Sequence, residues 1–292
     1  MCDQDAFDDM TAYQLKAGGL SRRQFGALTL GAGLVSMLPP VANAAEVTEA
    51  EVEITTPDGS ADAYFVHPVK GAHPAVLIWP DIFGLRPAFR QMGKRLAESG
   101  YAVLVVNPFY RQKRAPTAPE HPDFNDPPTR AALMGLMGSL TQDTEFTDAK
   151  AFIAWLDSQP AVDRKKKAGT TGYCMGGPLT MRTAAAVPQR IGAAGSFHGG
   201  GLVTDKPDSP YLLIPKMKAH YLIAIAANDD EKQPEAKDVL RQAFAQAKLP
   251  AEIEVYAGTM HGWCPPDSQV YDAAQAEKAW SRLLVLFKSA LV

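Results

Sequence analysis

From residue 50 onward, apolar and polar positions follow two alternating periods. The stretch "EVEITTPDGSADAYFVHP" reads as a hairpin, with arms at Glu51 to Thr55 and Ala61 to Val66 around a Pro57-Asp58-Gly59 turn. "AVLIW" (Ala75 to Trp79) and "YAVLVV" (Tyr101 to Val106) are unbroken apolar runs, the pattern of strands buried on both faces. Between them a helix is predicted over Ala88 to Ser99, with Gly100 as its stop signal. Further on, Asp143 to Leu156 sets Phe146, Ala149, Ile153 and Leu156 on one helical face. The strand "AGTTG" and a helix after Met175 come next, then strands at Ala193 to His198, Tyr221 to Ala226 and Glu252 to Ala257. Helices are predicted at Pro234 to Ala247 and Ala273 to Ala290. Strands that alternate with helices predict an α/β fold, a single domain over 45–292 whose mostly parallel sheet is covered by helices on both faces.

Two segments break this rhythm. Asn107 to about Gln142 is irregular and rich in Pro and Arg, with one periodic piece at Thr129 to Leu140. Connections that long are usually functional or disordered. The other is the N-terminus, "LSRRQFGALTLGAGLVSMLPPVANAA", with adjacent arginines at Arg22 and Arg23, a short Gly/Ala-rich apolar run, and small residues at Ala42 to Ala44. A charged start, a short apolar stretch and a small-residue cleavage site describe an export signal, and the arginine pair resembles the twin-arginine type. Residues 1–44 are therefore expected to be a cleaved signal read by the twin-arginine translocation machinery, delivering a periplasmic protein. Cys2 would leave with it.

Composition narrows the function classes. Of 292 residues 46% are hydrophobic and the formal net charge is −3, so no nucleic-acid footprint is present. No apolar run of about 20 residues exists to span a membrane once the signal is removed. "DRKKK" (Asp163 to Lys167) reads as a solvated loop. The three cysteines are too far apart for a metal knuckle or a Cys-x-x-Cys redox pair.

The candidate chemistry begins at Gly172-Tyr173-Cys174-Met175-Gly176, a Gly-x-nucleophile-x-Gly sequence between strand and helix. Such an elbow lifts the central side chain above the carboxyl edge of the sheet, where ligands of open α/β sheets bind. A helix N-terminus beside a thiol favours thiolate. A buried structural cysteine is the competing reading. Two further strand ends favour the nucleophile: Asp229-Asp230 after one strand and His261 after the last follow it in the order nucleophile, acid, base. His198 also ends a strand but precedes the acid, and His220 reads as a strand-entry residue. "WPDIFG" ends the first buried strand, and its loop supplies one oxyanion N–H in such folds, here Ile82, the second being Met175. Asp81 lies between that strand and the loop, close to the thiol.

At these residues the sequence resembles the dienelactone hydrolase family: "AVLIWPDIFGL", "GYAVLVVNPFY", "GYCMGG" and "GTMHGW" stand in the family's order. The resemblance covers about residues 50 to 290 and implies an α/β-hydrolase that cleaves an ester or an unsaturated lactone without cofactor or metal. It implies Cys174 as nucleophile, His261 as general base and acid, and Asp229 as the imidazole's partner, with Asp230 the alternative. Asp81 stands where the family commonly has a thiol-activating glutamate one methylene longer. The arginine that follows the family's histidine is replaced by Cys264-Pro265-Pro266, which leaves Arg111 or Arg130 to hold a substrate carboxylate. A disulfide between Cys264 and Cys174 would silence the nucleophile; an unrelated loop thiol is the other reading of Cys264. A non-catalytic ligand-binding protein that retains the hydrolase fold is the competing functional class.

Overall fold

In the computed structural model, residues 38–292 are described except 120, 121 and 123. The expected twin-arginine pair lies outside the described residues. The predicted hairpin is present with longer arms, β1 (Val47–Thr56) and β2 (Gly59–Pro68), antiparallel from Val47 opposite Pro68 to Thr56 opposite Gly59. Six more strands complete one sheet: β3 (Ala75–Trp79), β4 (Ala102–Val106), β5 (Ala168–Tyr173), β6 (Ile191–Phe197), β7 (His220–Ala226) and β8 (Ala251–Tyr256). Their order is β1-β2-β4-β3-β5-β6-β7-β8. Pairing is parallel from β4 through β8, and only the hairpin end is antiparallel.

The unbroken apolar runs are explained by two layers of helix. Along β3, Ala75, Leu77 and Trp79 join one apolar cluster and Val76 and Ile78 the other. Strand β4 divides in the same way, Ala102, Leu104 and Val106 against Val103 and Val105. On one face lie α1 (Pro87–Glu98), through Phe89, Met92 and Leu96, and α7 (Ala273–Ala290), through Leu283 and Phe287. On the other lie α3 (Gln142–Ser158), α4 (Gly176–Ala186) and α6 (Ala236–Ala247), through Phe152, Leu179 and Phe244. A 3₁₀ turn at Pro210–Lys216, not foreseen from the sequence, adds Leu213 and Ile214 to that second layer. Helix α5 (Ala227–Lys232) directly follows β7.

The irregular segment after β4 folds over the carboxyl edge of the sheet. It contains one helix, α2 (Pro127–Met137), capped by Asp126, whose side chain accepts from the Thr129 N–H. Phe109, Ala118, Phe124, Leu133 and Leu136 from this segment form a third apolar cluster with Ile82, Cys174 and Met175. The segment is thus the roof of the elbow. No described helix is long and apolar enough to cross a membrane.

Candidate active site

The elbow has the backbone its sequence demands. Cys174 sits at φ 53, the left-handed region that costs a non-glycine residue strain of order 1–3 kcal/mol. Its N–H donates to the Phe197 carbonyl at 3.0 Å, tying the turn to β6. Glycine is required on both sides by close approach. A Cβ on Gly172 would lie 2.0 Å from the Gly176 carbonyl oxygen, and one on Gly176 would lie 2.2 Å from that of Trp79. Helix α4 can therefore start directly against the ends of β5 and β3, which sets Met175 and Ile82 in one cluster with the sulfur.

Strand ends β7 and β8 deliver the histidine. His261 Nδ1 is 2.8 Å from Asp229 Oδ2, and the His261 N–H donates to Asn228 Oδ1 at 2.8 Å. Thr259 supports the same junction: its hydroxyl donates to the Tyr256 carbonyl at 2.7 Å and accepts from the Ala227 N–H at 3.3 Å. Asp230, the sequence alternative, instead accepts from Lys237 Nζ at 2.6 Å. The two acidic side chains lie on successive residues of α5 and diverge. Asn228 was not singled out in the sequence, although it neighbours Asp229.

Cys174 and His261 line one cavity of about 200 Å³, together with Asp81, Ile82, Arg86 and Asp267. Phe83 and Phe124 give it apolar walls. The rival His198 lies beside it, buried, with its ring 5.2 Å from that of His261. Neither of its ring nitrogens has a hydrogen-bond partner among the described residues. Burial, and next the neighbouring His261, push the His198 imidazole well below its ordinary value, so it is held neutral.

Asp81 is present in the cavity wall, but its carboxylate is engaged. Its Oδ1 and Oδ2 accept from Arg86 Nη1 and Nη2 at 2.6 and 2.9 Å, and Oδ1 also accepts from the Phe83 N–H at 3.0 Å. Burial pushes this carboxyl up, with Arg86 pulling the other way. The turn itself is pinned by Gly84 at φ 75, where a Cβ would lie 2.3 Å from Thr117 Oγ1.

The two arginines chosen from the sequence are not brought to the cavity. Arg111 is clamped between Asp148, at 2.7 Å, and Asp58 in the hairpin turn, at 2.6 Å. Arg130 lies in α2 and is not among the cavity-lining residues. The physical reason is pairing: Asp148 is fully buried, and the nearest guanidinium is drawn to it rather than left open to a ligand. The arginine that does line the cavity is Arg86, five residues after Asp81, which sequence reasoning passed over because it looks like an ordinary helix-entry charge.

Cys264 lies in the core beneath α1 and α7, against Tyr173 and Phe197, with its thiol free and pushed well above its ordinary value by burial. No disulfide joins it to Cys174. No cluster of three or more His, Cys, Asp or Glu side chains that could hold a metal is present among the described residues.

Comparison with known proteins agrees with this fold. A protein of Escherichia coli K12 named "Putative carboxymethylenebutenolidase" is 29% identical over 231 residues, covering 77% of this chain and 81% of that protein. The "Carboxymethylenebutenolidase" of Rhodococcus opacus is 26% identical over 223 residues, covering 75% and 82%. Among solved structures, a "Putative Dienelactone Hydrolase" from Klebsiella pneumoniae superposes with a TM-score of 0.72 at 22% identity, covering 83% of this chain and 99% of that one. The dienelactone hydrolase structure from Anabaena variabilis gives 0.58 at 18% identity, covering 84% and 99%. These two likenesses speak for the fold. The family model for the dienelactone hydrolase family matches residues 61–291, from the second strand to the end of the last helix and through every element that builds the cavity, and the chain therefore belongs to that family.

Proposed function

We propose that this protein hydrolyses carboxylic esters or lactones through Cys174, His261 and Asp229. The observation that supports this most is the Asp229–His261 bond at a cavity which Cys174 also lines. With Nδ1 carrying its hydrogen toward Asp229, Nε2 is the basic nitrogen of the ring. The thiolate of Cys174 attacks the carbonyl carbon, and the developing oxyanion is bound by the N–H groups of Ile82 and Met175. His261 as imidazolium gives its proton to the leaving oxygen, then takes one from water as that water attacks the thioester, releasing acid and restoring the thiolate. No residue on this route calls for a cofactor or metal.

The test is hydrolysis of p-nitrophenyl esters and of simple unsaturated lactones by the processed protein. A Cys174→Ala variant should lose turnover by several orders of magnitude. Wild-type rates from that variant would remove the sulfur from the mechanism, and an inert wild-type protein across the panel would favour a ligand-binding role.

Export by the twin-arginine route, with cleavage after Ala44, belongs to the same proposal. Ala42 to Ala44 are exposed, and the chain is anchored just beyond, where the Ala45 N–H donates to the Glu98 carbonyl at 2.9 Å. Cleavage there keeps the Ala45–Glu98 hydrogen bond on the mature chain. N-terminal sequencing of periplasmic protein should begin at Ala45; an uncleaved cytoplasmic chain would refute it.

A further inference from the structure

Among the described residues lining the cavity, the side chains able to carry positive charge are His261, bonded to Asp229, and Arg86. A guanidinium has five N–H donors and no acceptor. All five of Arg86 are committed within the protein. Nε and Nη2 donate to the two oxygens of Asp267 at 2.6 and 3.0 Å, and Nη1 and Nη2 donate to those of Asp81 at 2.6 and 2.9 Å. The remaining Nη1 hydrogen makes a longer contact, 3.4 Å, with the Gly84 carbonyl. The planar group is also held against Phe83 and Phe89, at 5.4 and 4.8 Å from the ring centres. Two carboxylates face one guanidinium, so this wall carries an excess negative charge. Arg111, clamped by Asp58 and Asp148, does not line the cavity.

We infer that the site accepts esters and lactones with an uncharged acyl part and discriminates against those bearing a carboxylate, because Asp267 and Asp81 together sequester the cavity's arginine. The inference rests on the hydrolase reading and narrows its substrate class. An incoming carboxylate finds no open donor on Arg86. To be bound it must expel one of two aspartates that already match the guanidinium in bidentate geometry, and it must enter against their charge. Asp267 is the specificity-determining residue of the two. It reaches Arg86 from the loop after His261, and its side chain is 25% exposed against 9% for Asp81, so it can be neutralised with less disturbance to the oxyanion turn.

The experiment compares p-nitrophenyl hexanoate with mono-p-nitrophenyl adipate, which share acyl length and leaving group and differ in a terminal carboxylate. At pH 7 the wild-type kcat/KM should favour the hexanoate by at least tenfold, mostly through KM. Asp267→Asn should narrow that ratio at least tenfold, and Asp267→Glu should restore it. A wild-type preference for the adipate ester, or a ratio unmoved by Asp267→Asn, overturns the inference. The same contrast is read without turnover as Kd values of Cys174→Ala protein for methyl hexanoate and monomethyl adipate. Absence of Cys174-dependent hydrolysis refutes the hydrolase reading; tighter binding of the charged ester refutes this one.

Discussion

Gly176→Ala tests whether the elbow's geometry is what creates the site. The added Cβ would stand 2.2 Å from the Trp79 carbonyl oxygen and 2.7 Å from that of Pro80. A comfortable C···O separation is about 3.3 Å, so the start of α4 and the end of β3 must part by about 1 Å. Both obstructing atoms belong to the main chain, and no side-chain rotation relieves the clash. Overpacking of this kind costs about 1–3 kcal/mol, and at about 2–4 °C per kcal/mol for a domain of this size Tm should fall by several degrees. The larger effect is on rate. The displacement separates the Met175 N–H from the Ile82 N–H across the carbonyl they are proposed to polarise, and a misplacement of about 1 Å costs about 10²-fold. Steady-state hydrolysis of a p-nitrophenyl ester should show kcat reduced about 100-fold, with KM changed less. Gly135→Ala is the control: it lies within α2, where an added Cβ meets nothing within 4 Å, so stability should rise by up to about 1 kcal/mol and kcat should stay the same. A Gly176→Ala protein with wild-type kcat and Tm would refute the reasoning.

Three further outcomes are expected. Asp229→Asn should lower kcat about 10⁴-fold in the same assay by removing the acceptor that fixes the His261 tautomer, whereas Asp230→Asn, which loses only its bond to Lys237, should leave kcat within about threefold. His198 is neutral when folded and binds a proton near pH 6.5 when unfolded; its contribution to stability is complete above that pH and lost as pH falls below it. Urea midpoints should therefore drop less between pH 7.5 and pH 5 in His198→Asn, which also tolerates the left-handed backbone at φ 39, than in wild type; equal drops would refute this. Arg111→Ala leaves the fully buried Asp148 without its cation and should cost about 3–5 kcal/mol in denaturant unfolding while KM of the folded fraction is unaltered; a raised KM for carboxylate esters at unchanged stability would place Arg111 in substrate binding after all.

What was legible in the sequence is what is encoded locally. Strands β3 and β4 announced themselves as apolar runs because each residue is buried whichever face it points to, and the elbow because glycine spacing and a strand–helix change lie within five residues. His261 was found from its position after the last strand. The boundary between Asp229 and Asp230 was not legible, since both occupy one turn of α5 and only the three-dimensional neighbours, His261 and Lys237, distinguish them. Charge pairing across long separations was hidden for the same reason. Arg86 meets Asp267 from 181 residues away, and Arg111 meets Asp58 across 53. Cationic residues in a Pro-rich loop looked available until their carboxylates were located.

Consecutive residues of α5 grip His261 at both ends, Asn228 by its backbone N–H and Asp229 by its ring. These two bonds come from the β7–α5 junction and not from the segment that roofs the cavity. Proton handling and substrate shape are in consequence separable inheritances. The roof between β4 and α3 can be lengthened, shortened or exchanged to admit a different acyl group while these two bonds are kept, so divergence within this lineage should concentrate in the roof and spare the β7–α5 junction.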